Sequence, residues 1–190
     1  MFLEQRAYPV LKEAAQFFLD YMVVHPENGR LIAGPSESPE NKFLAPDGTR
    51  ASYSMSPTCD SVLIHDLFTY CTNASQILEI DSAFRTKLEG AIAKLPPLQI
   101  GKHGHLMEWL EDYEDTIPNH RHMTHLIALY PSDRITVEKA PELAEAARAT
   151  IKRRVNRDDW EDVARSRANL ISFYARLQDA NMAHESIRVL

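Results

Sequence analysis

Three short stretches hold most of the residues that could do chemistry. The first is PSESPENKF, Pro35 to Phe43, in which Glu37 and Glu40 stand three positions apart between prolines and serines. Pro35 and Pro39 hold the residues before them, Gly34 and Ser38, in extended backbone, so both carboxyls are expected on a stiffened, strand-like segment. A carboxyl fixed in one place is what general-acid catalysis requires, because a proton is delivered only within hydrogen-bond reach. The same composition also suits a surface turn with solvated acids.

The second stretch is HGHLMEWLEDYED, His103 to Asp115. Read as a helix, it places Glu108 and Asp112 on one face and offers Trp109 as a flat apolar platform for a sugar ring. A surface acid face with one buried Trp is the other reading. The third is NHRHMTHLIALYP, Asn119 to Pro131, where His120, Arg121, His122 and His125 crowd the start of an apolar segment. These side chains suit either polar ligand contacts or buried structural histidines. His122 and His125 could share an ion, but with no Cys in the run and no HExxH spacing we expect no metal site. There is no Gly-rich phosphate loop, GxSxG elbow or CxxC pair, so phosphoryl transfer and hydride chemistry have no support and no cofactor is expected.

The chain that must position these residues has 190 residues, 44% of them hydrophobic, enough to bury a core. A net charge of -6 argues against nucleic acid as a partner. The one basic run, Lys152-Arg153-Arg154 with Arg157, falls at a helix end, where cations suit the dipole. No apolar run approaches the roughly 20 residues that span a bilayer, and the N-terminus does not read as a signal peptide. Cys59 and Cys71 are unpatterned and are expected to be buried free thiols.

Apolar residues recur at three and four over Phe2 to Val24, with the continuous helix expected to start at Pro9. The same period marks Thr58 to Ile80, Ser82 to Leu95, Pro141 to Arg154, Glu161 to Leu177 and the stretch from Ala180 onward. Shorter helices are expected at Leu106 to Tyr113 and Met123 to Tyr130. Strand alternation shows only around Arg30 to Ala33. The expected class is therefore all-α: helices joined by uneven loops, the long ones near 25–56 and 96–122 carrying the unusual residues.

Taken in order, these residues resemble glycoside hydrolase family 95, the inverting α-L-fucosidases and related α-L-galactosidases. GPSESPENKF is similar to the family's PSxSPEN motif, and MSPTCDSVLIHDLF to the helix that follows it. MEWLEDYED and NHRHMTHLIALYPSDRI resemble its EW and HRHxSHLxxLYPG stretches. DDWEDVARSRANLISFYARLQDANMAHE is a weaker match to the helix that begins GWS, with Asp159-Trp160-Glu161 standing at that element. Thr124 and Ser132 replace the family's usual Ser and Gly.

The resemblance implies a six-hairpin α/α barrel, or toroid, of antiparallel helix pairs, of which residues 1–190 would be a middle portion. The N-terminal β-rich domain and flanking barrel segments would lie elsewhere. It implies Glu40 as the general acid. It also implies Arg121 and His122 as sugar contacts, with Trp109, Glu108, His125 and Asp60 supporting them. The substrate would be a fucosylated oligosaccharide, cleaved with inversion. The family's paired asparagines and its base-side aspartate match nothing in this chain, so it would carry the acid half of the site and be inactive alone. A non-catalytic carbohydrate-binding module and a helical interaction scaffold are the alternatives, and apolar faces left open could drive self-association. Localisation is left open.

Overall fold

The computed structural model describes residues 1–156 and 158–190, so Arg157, the last cation of the basic run, lies outside the described residues. Among the described residues run six α-helices: α1 Tyr8–Tyr21, α2 Thr58–Leu78, α3 Ser82–Ile92, α4 Pro141–Val155, α5 Ala164–Arg176 and α6 Ala180–Val189. Their limits follow local chemistry. Pro9 and Pro141 sit in the first turns of α1 and α4, where a missing N–H costs nothing. A single π turn, Leu3–Ala7, precedes α1, so helical backbone extends before Pro9 rather than starting at it. Asp179 caps α6 by accepting the Met182 N–H at 3.1 Å.

Two apolar cores result, with α2 facing both. Ala15 of α1, Ile64 and Phe68 of α2 and Leu88 of α3 fill one. Val62 of α2 joins Leu126, Leu129, Ile151 of α4 and Leu170 of α5 in the other. Each of the Val, Leu, Ile and Phe side chains among these, fully buried, stabilises the fold by roughly 1.5–3 kcal/mol. Cys59 and Cys71 are both free and buried within this frame. Neighbouring helices pack in sequence, α1 on α2, α2 on α3 and α5 on α6. The six α-helices among the described residues do not make the twelve of a closed six-hairpin ring.

The loops correct the all-α expectation. Among the described residues seven two-residue strands stitch them together, only one of which, β2 at Leu31–Ile32, lies where the sequence showed alternation. It pairs antiparallel with β1, Val23–Val24. Ser36–Glu37 (β3) pairs with Tyr53–Ser54 (β6). Phe43–Leu44 (β4) lies between Arg50–Ala51 (β5) and Glu114–Asp115 (β7), so the two long loops share a small sheet.

The helix expected at Leu106 to Tyr113 is instead irregular chain. Long-range bonds hold it open: the Met107 N–H donates to the Gln99 carbonyl at 2.9 Å, and the Thr58 N–H to the Glu108 carbonyl at 3.0 Å. Glu108 and Asp112 consequently share no helical face, and Asp112 turns to the Lys102 N–H at 2.7 Å. The stretch near Met123 becomes a short 3-10 helix, Thr124–Ala128.

Candidate active site

The sequence Ser38-Pro39-Glu40-Asn41 forms a tight turn, closed by the Asn41 N–H donating to the Ser38 carbonyl at 2.8 Å. Proline at its second position pre-sets the backbone for this geometry. Glu37 alone is on a strand, while Glu40 rides the turn, which differs from the strand-like segment expected for both. The side chains at the two ends of the turn point inward. Ser38 Oγ donates to Glu108 Oε1 at 2.7 Å, and Asn41 Nδ2 donates to Glu108 Oε2 at 2.9 Å and to Asp115 Oδ1 at 3.0 Å. Glu40 points outward, with its side chain 61% exposed.

The HRH stretch grips the same turn from its other side. Thr124 Oγ1 donates to the Pro39 carbonyl at 2.7 Å, and His122 Nδ1 lies 3.2 Å from that oxygen. A carbonyl can only accept, so His122 carries its proton on Nδ1. His120 is arranged oppositely: its Nδ1 accepts the His122 N–H at 3.0 Å. Burial, reinforced by Arg154 and His122, holds the His120 imidazole below the usual range and keeps it neutral.

Arg121 bridges two carboxylates. It donates to Glu40 Oε2 through Nη2, and to Glu161 Oε2 through Nη1 at 3.1 Å and its own N–H at 3.2 Å. These bonds, led by the backbone one, hold the Glu161 carboxyl below its ordinary range. Ser166 Oγ fixes the Arg121 carbonyl at 2.9 Å. A cleft of about 410 Å³ opens beside Glu40 and His122, with Arg165 and Asn169 of α5 on its far wall and Tyr130 and Phe173 supplying apolar surface.

Behind the turn, Glu108 is 3% exposed and Arg154 of α4 is equally buried. Arg154 Nη2 donates to Glu108 Oε2 at 2.7 Å and to Asp115 Oδ1 at 3.0 Å, while Nη1 satisfies the Ile117 carbonyl at 2.8 Å. His125 Nδ1 stands 3.4 Å from Glu108 Oε2, within ion-pair reach but without hydrogen-bond geometry. Burial alone would raise the Glu108 pKa. Its neighbours His125 and Arg154 and the Ser38 hydroxyl outweigh it and hold the carboxyl at about 2, a carboxylate at any ordinary pH.

The expected site residues therefore separate. Glu40, Arg121 and His122 come together at the cleft. Glu108 and His125, proposed from sequence as sugar contacts, are buried at 3% and 1%. Trp109, expected as an open platform, is 3% exposed and packs on Phe43 at 5.2 Å, so no sugar face reaches it. Asp60 is half-buried on a different cleft of about 340 Å³, with Tyr21 and Pro35. Arg154, read as a helix-end cation, is a buried anchor, whereas Lys152 of the same run is exposed. Sequence reasoning passed over Ser38, Asn41 and Arg165. Glu161 it noted only as a departure from a motif. Among the described residues no cluster of three or more His, Cys, Asp or Glu could hold a metal ion, and no helix is long and apolar enough to cross a membrane.

Comparison with known proteins gives a consistent picture. The family model for the Glycosyl hydrolase family 95 catalytic domain matches residues 1–190. Alpha-L-fucosidase 2 of Arabidopsis thaliana is 44% identical over 154 residues, 80% of this chain and 18% of that protein. Probable alpha-fucosidase A of Aspergillus niger is 30% identical over 131 residues, 67% of this chain and 16% of the relative. The chain thus spans about a fifth of the length of the curated relatives it matches.

Proposed function

The chain belongs to glycoside hydrolase family 95, and from that membership we propose that it forms part of an enzyme hydrolysing terminal α-L-fucosyl, or α-L-galactosyl, linkages in oligosaccharides. The relatives named as fucosidases favour the fucosyl substrate. The observation that carries the reading is the Ser38–Asn41 turn, which presents Glu40 to a cleft shared with His122 and flanked by Arg121.

In the reaction, Glu40 gives its proton to the glycosidic oxygen as the bond from that oxygen to the anomeric carbon breaks. Water, deprotonated by a base on the opposite face, attacks the anomeric carbon and inverts it, which sets the two carboxyls about 6.5–9.5 Å apart. Arg121 and His122 hold sugar hydroxyls. Because Glu40 and Arg121 engage each other here, both must turn to the sugar on binding. The partial burial that a proton donor calls for is not met by this chain, where Glu40 is 61% exposed. The covering surface would come from further barrel helices. The exposed stripe Val10, Phe17 and Tyr21 along α1 is where such helices would pack.

That openness of Glu40 favours a second reading, a sugar-binding module without catalysis. Two measurements separate them. Proton NMR of the chain with 2'-fucosyllactose would show broadening of the fucose methyl signal if a pocket is present, and β-fucose first if an inverting site is complete. In the complete catalytic domain, Glu40→Gln should lower kcat by about 10²–10⁴-fold while leaving the fold intact. Full retained activity would remove Glu40 from the mechanism.

A further inference from the structure

Of the three residues around Glu40 that are fixed by side chain or carbonyl, two converge on one carboxylate. Ser38 and Asn41, immediately before and after Pro39-Glu40, both donate to Glu108, which lies about 70 positions further along the chain. Ser38 and Asn41 are each 0% exposed, so neither can be satisfied by water when that acceptor is lost. Glu108 is itself fixed from the opposite side by the buried Arg154 of α4, and its own carbonyl by the N–H of Thr58 at the start of α2. The turn is thereby referenced to two helices as well as to the loop backbone that flanks it.

We propose that Glu108 is a positioning residue: a buried carboxylate that clamps both ends of the turn through Ser38 and Asn41 and so sets where Glu40 meets the sugar. This rests on the reading of Glu40 as the proton donor. It assigns Glu108 no contact with substrate. The demand on the clamp is severe, because proton delivery fails outside hydrogen-bond reach and a displacement of about 1 Å can cost a hundredfold in rate. A charged acceptor is required, since Ser38, Asn41 and Arg154 all bring donors. An amide at 108 would turn its own N–H₂ toward one of them.

The test compares Glu108→Gln and the milder Ser38→Ala in the 190-residue chain by amide hydrogen exchange. Tyr8→Phe, which removes the part-buried bond from Tyr8 to Asp81 in the other core, controls for lowered stability in general. Exchange at Asn41 and Lys42 should accelerate by about tenfold or more in both turn variants relative to the control, the factor expected for a lost charge-assisted hydrogen bond. Equal exchange at 41 and 42 in all three variants would overturn the clamp. In the complete catalytic domain, Ser38→Ala should slow 2'-fucosyllactose far more than fucosyl fluoride, whose leaving group needs no proton; a merely structural role would slow both alike. A loosened turn with unaltered turnover of both substrates would sink the Glu40 assignment and leave the clamp standing.

Discussion

Replacing Arg154 by Met is the sharpest test of whether the polar layer behind the turn is a buried, fully used network. The guanidinium side chain is 4% exposed and donates to three acceptors, Glu108, Asp115 and the Ile117 carbonyl. Removing one member of a buried ion pair costs roughly 3–5 kcal/mol, because the remaining charge is left uncompensated. Here the lower end applies. Glu108 keeps Ser38 and Asn41, and Asp115 keeps Asn41 and Arg153 at 3.6 Å. A loss of about 3 kcal/mol, divided by a urea dependence of roughly 2–3 kcal/mol per molar, moves the unfolding midpoint down by about 1–1.5 M. Arg153→Met is the matched control. Its side chain is 32% exposed with that single long contact, so it should cost under about 1 kcal/mol. Equal midpoints for the two variants, or an Arg154→Met loss below about 1 kcal/mol, would refute the argument that burial separates these adjacent arginines.

Two further outcomes are expected. With its folded pKa held at about 2 against an ordinary 4.5, Glu108 contributes stability that is complete above pH 4.5 and lost as pH falls toward 2, about 3 kcal/mol in all. His105, pushed down to about 4 chiefly by burial, adds an earlier loss between pH 6.5 and 4; urea unfolding at pH 7, 4.5 and 2 should show both stages, and no decline between 4.5 and 2 would contradict the Glu108 assignment. Gly34→Ala should destabilise by about 1 kcal/mol or more, since its φ of +139° disfavours a side chain and an added Cβ would lie 3.1 Å from Met55 Sδ and 3.2 Å from the Ser54 carbonyl. A melting temperature equal to the parent's would count against that backbone.

What could be read from sequence and what could not divide along a physical line. The helices α2 to α6 announced themselves through a period of 3.6 that is local information, and their observed limits fall within a few residues of those expected. The three chemical stretches were also visible, because residue types crowd there whatever the fold. Which of those side chains would face a ligand was not visible. Glu108 and Trp109 sit in irregular chain, where no period says which way a side chain points, and their burial is decided by Arg154 and Phe43, 46 and 66 positions away. Arg154 looked like its neighbour Arg153 because both end a helix. Only the position of α4 beside Glu108, Asp115 and Ile117 makes one an anchor. Apart from β2, the described strands were missed because each is two residues long and made by its partner, not by its own composition.

The inward direction of Ser38 and Asn41 has a consequence for anyone who would move this chemistry elsewhere. The four letters of the turn look like a portable cassette, yet only one of the four side chains faces the cleft through chemistry of its own. The rest of the instruction is written at Thr58, Glu108, Thr124 and Arg154, in segments that no single excision would include. A transplanted loop would carry the acid without its address. The smallest unit that could be grafted with Glu40 still in place is the turn together with four contact points, on α2, α4, the 3-10 helix and the Glu108 loop.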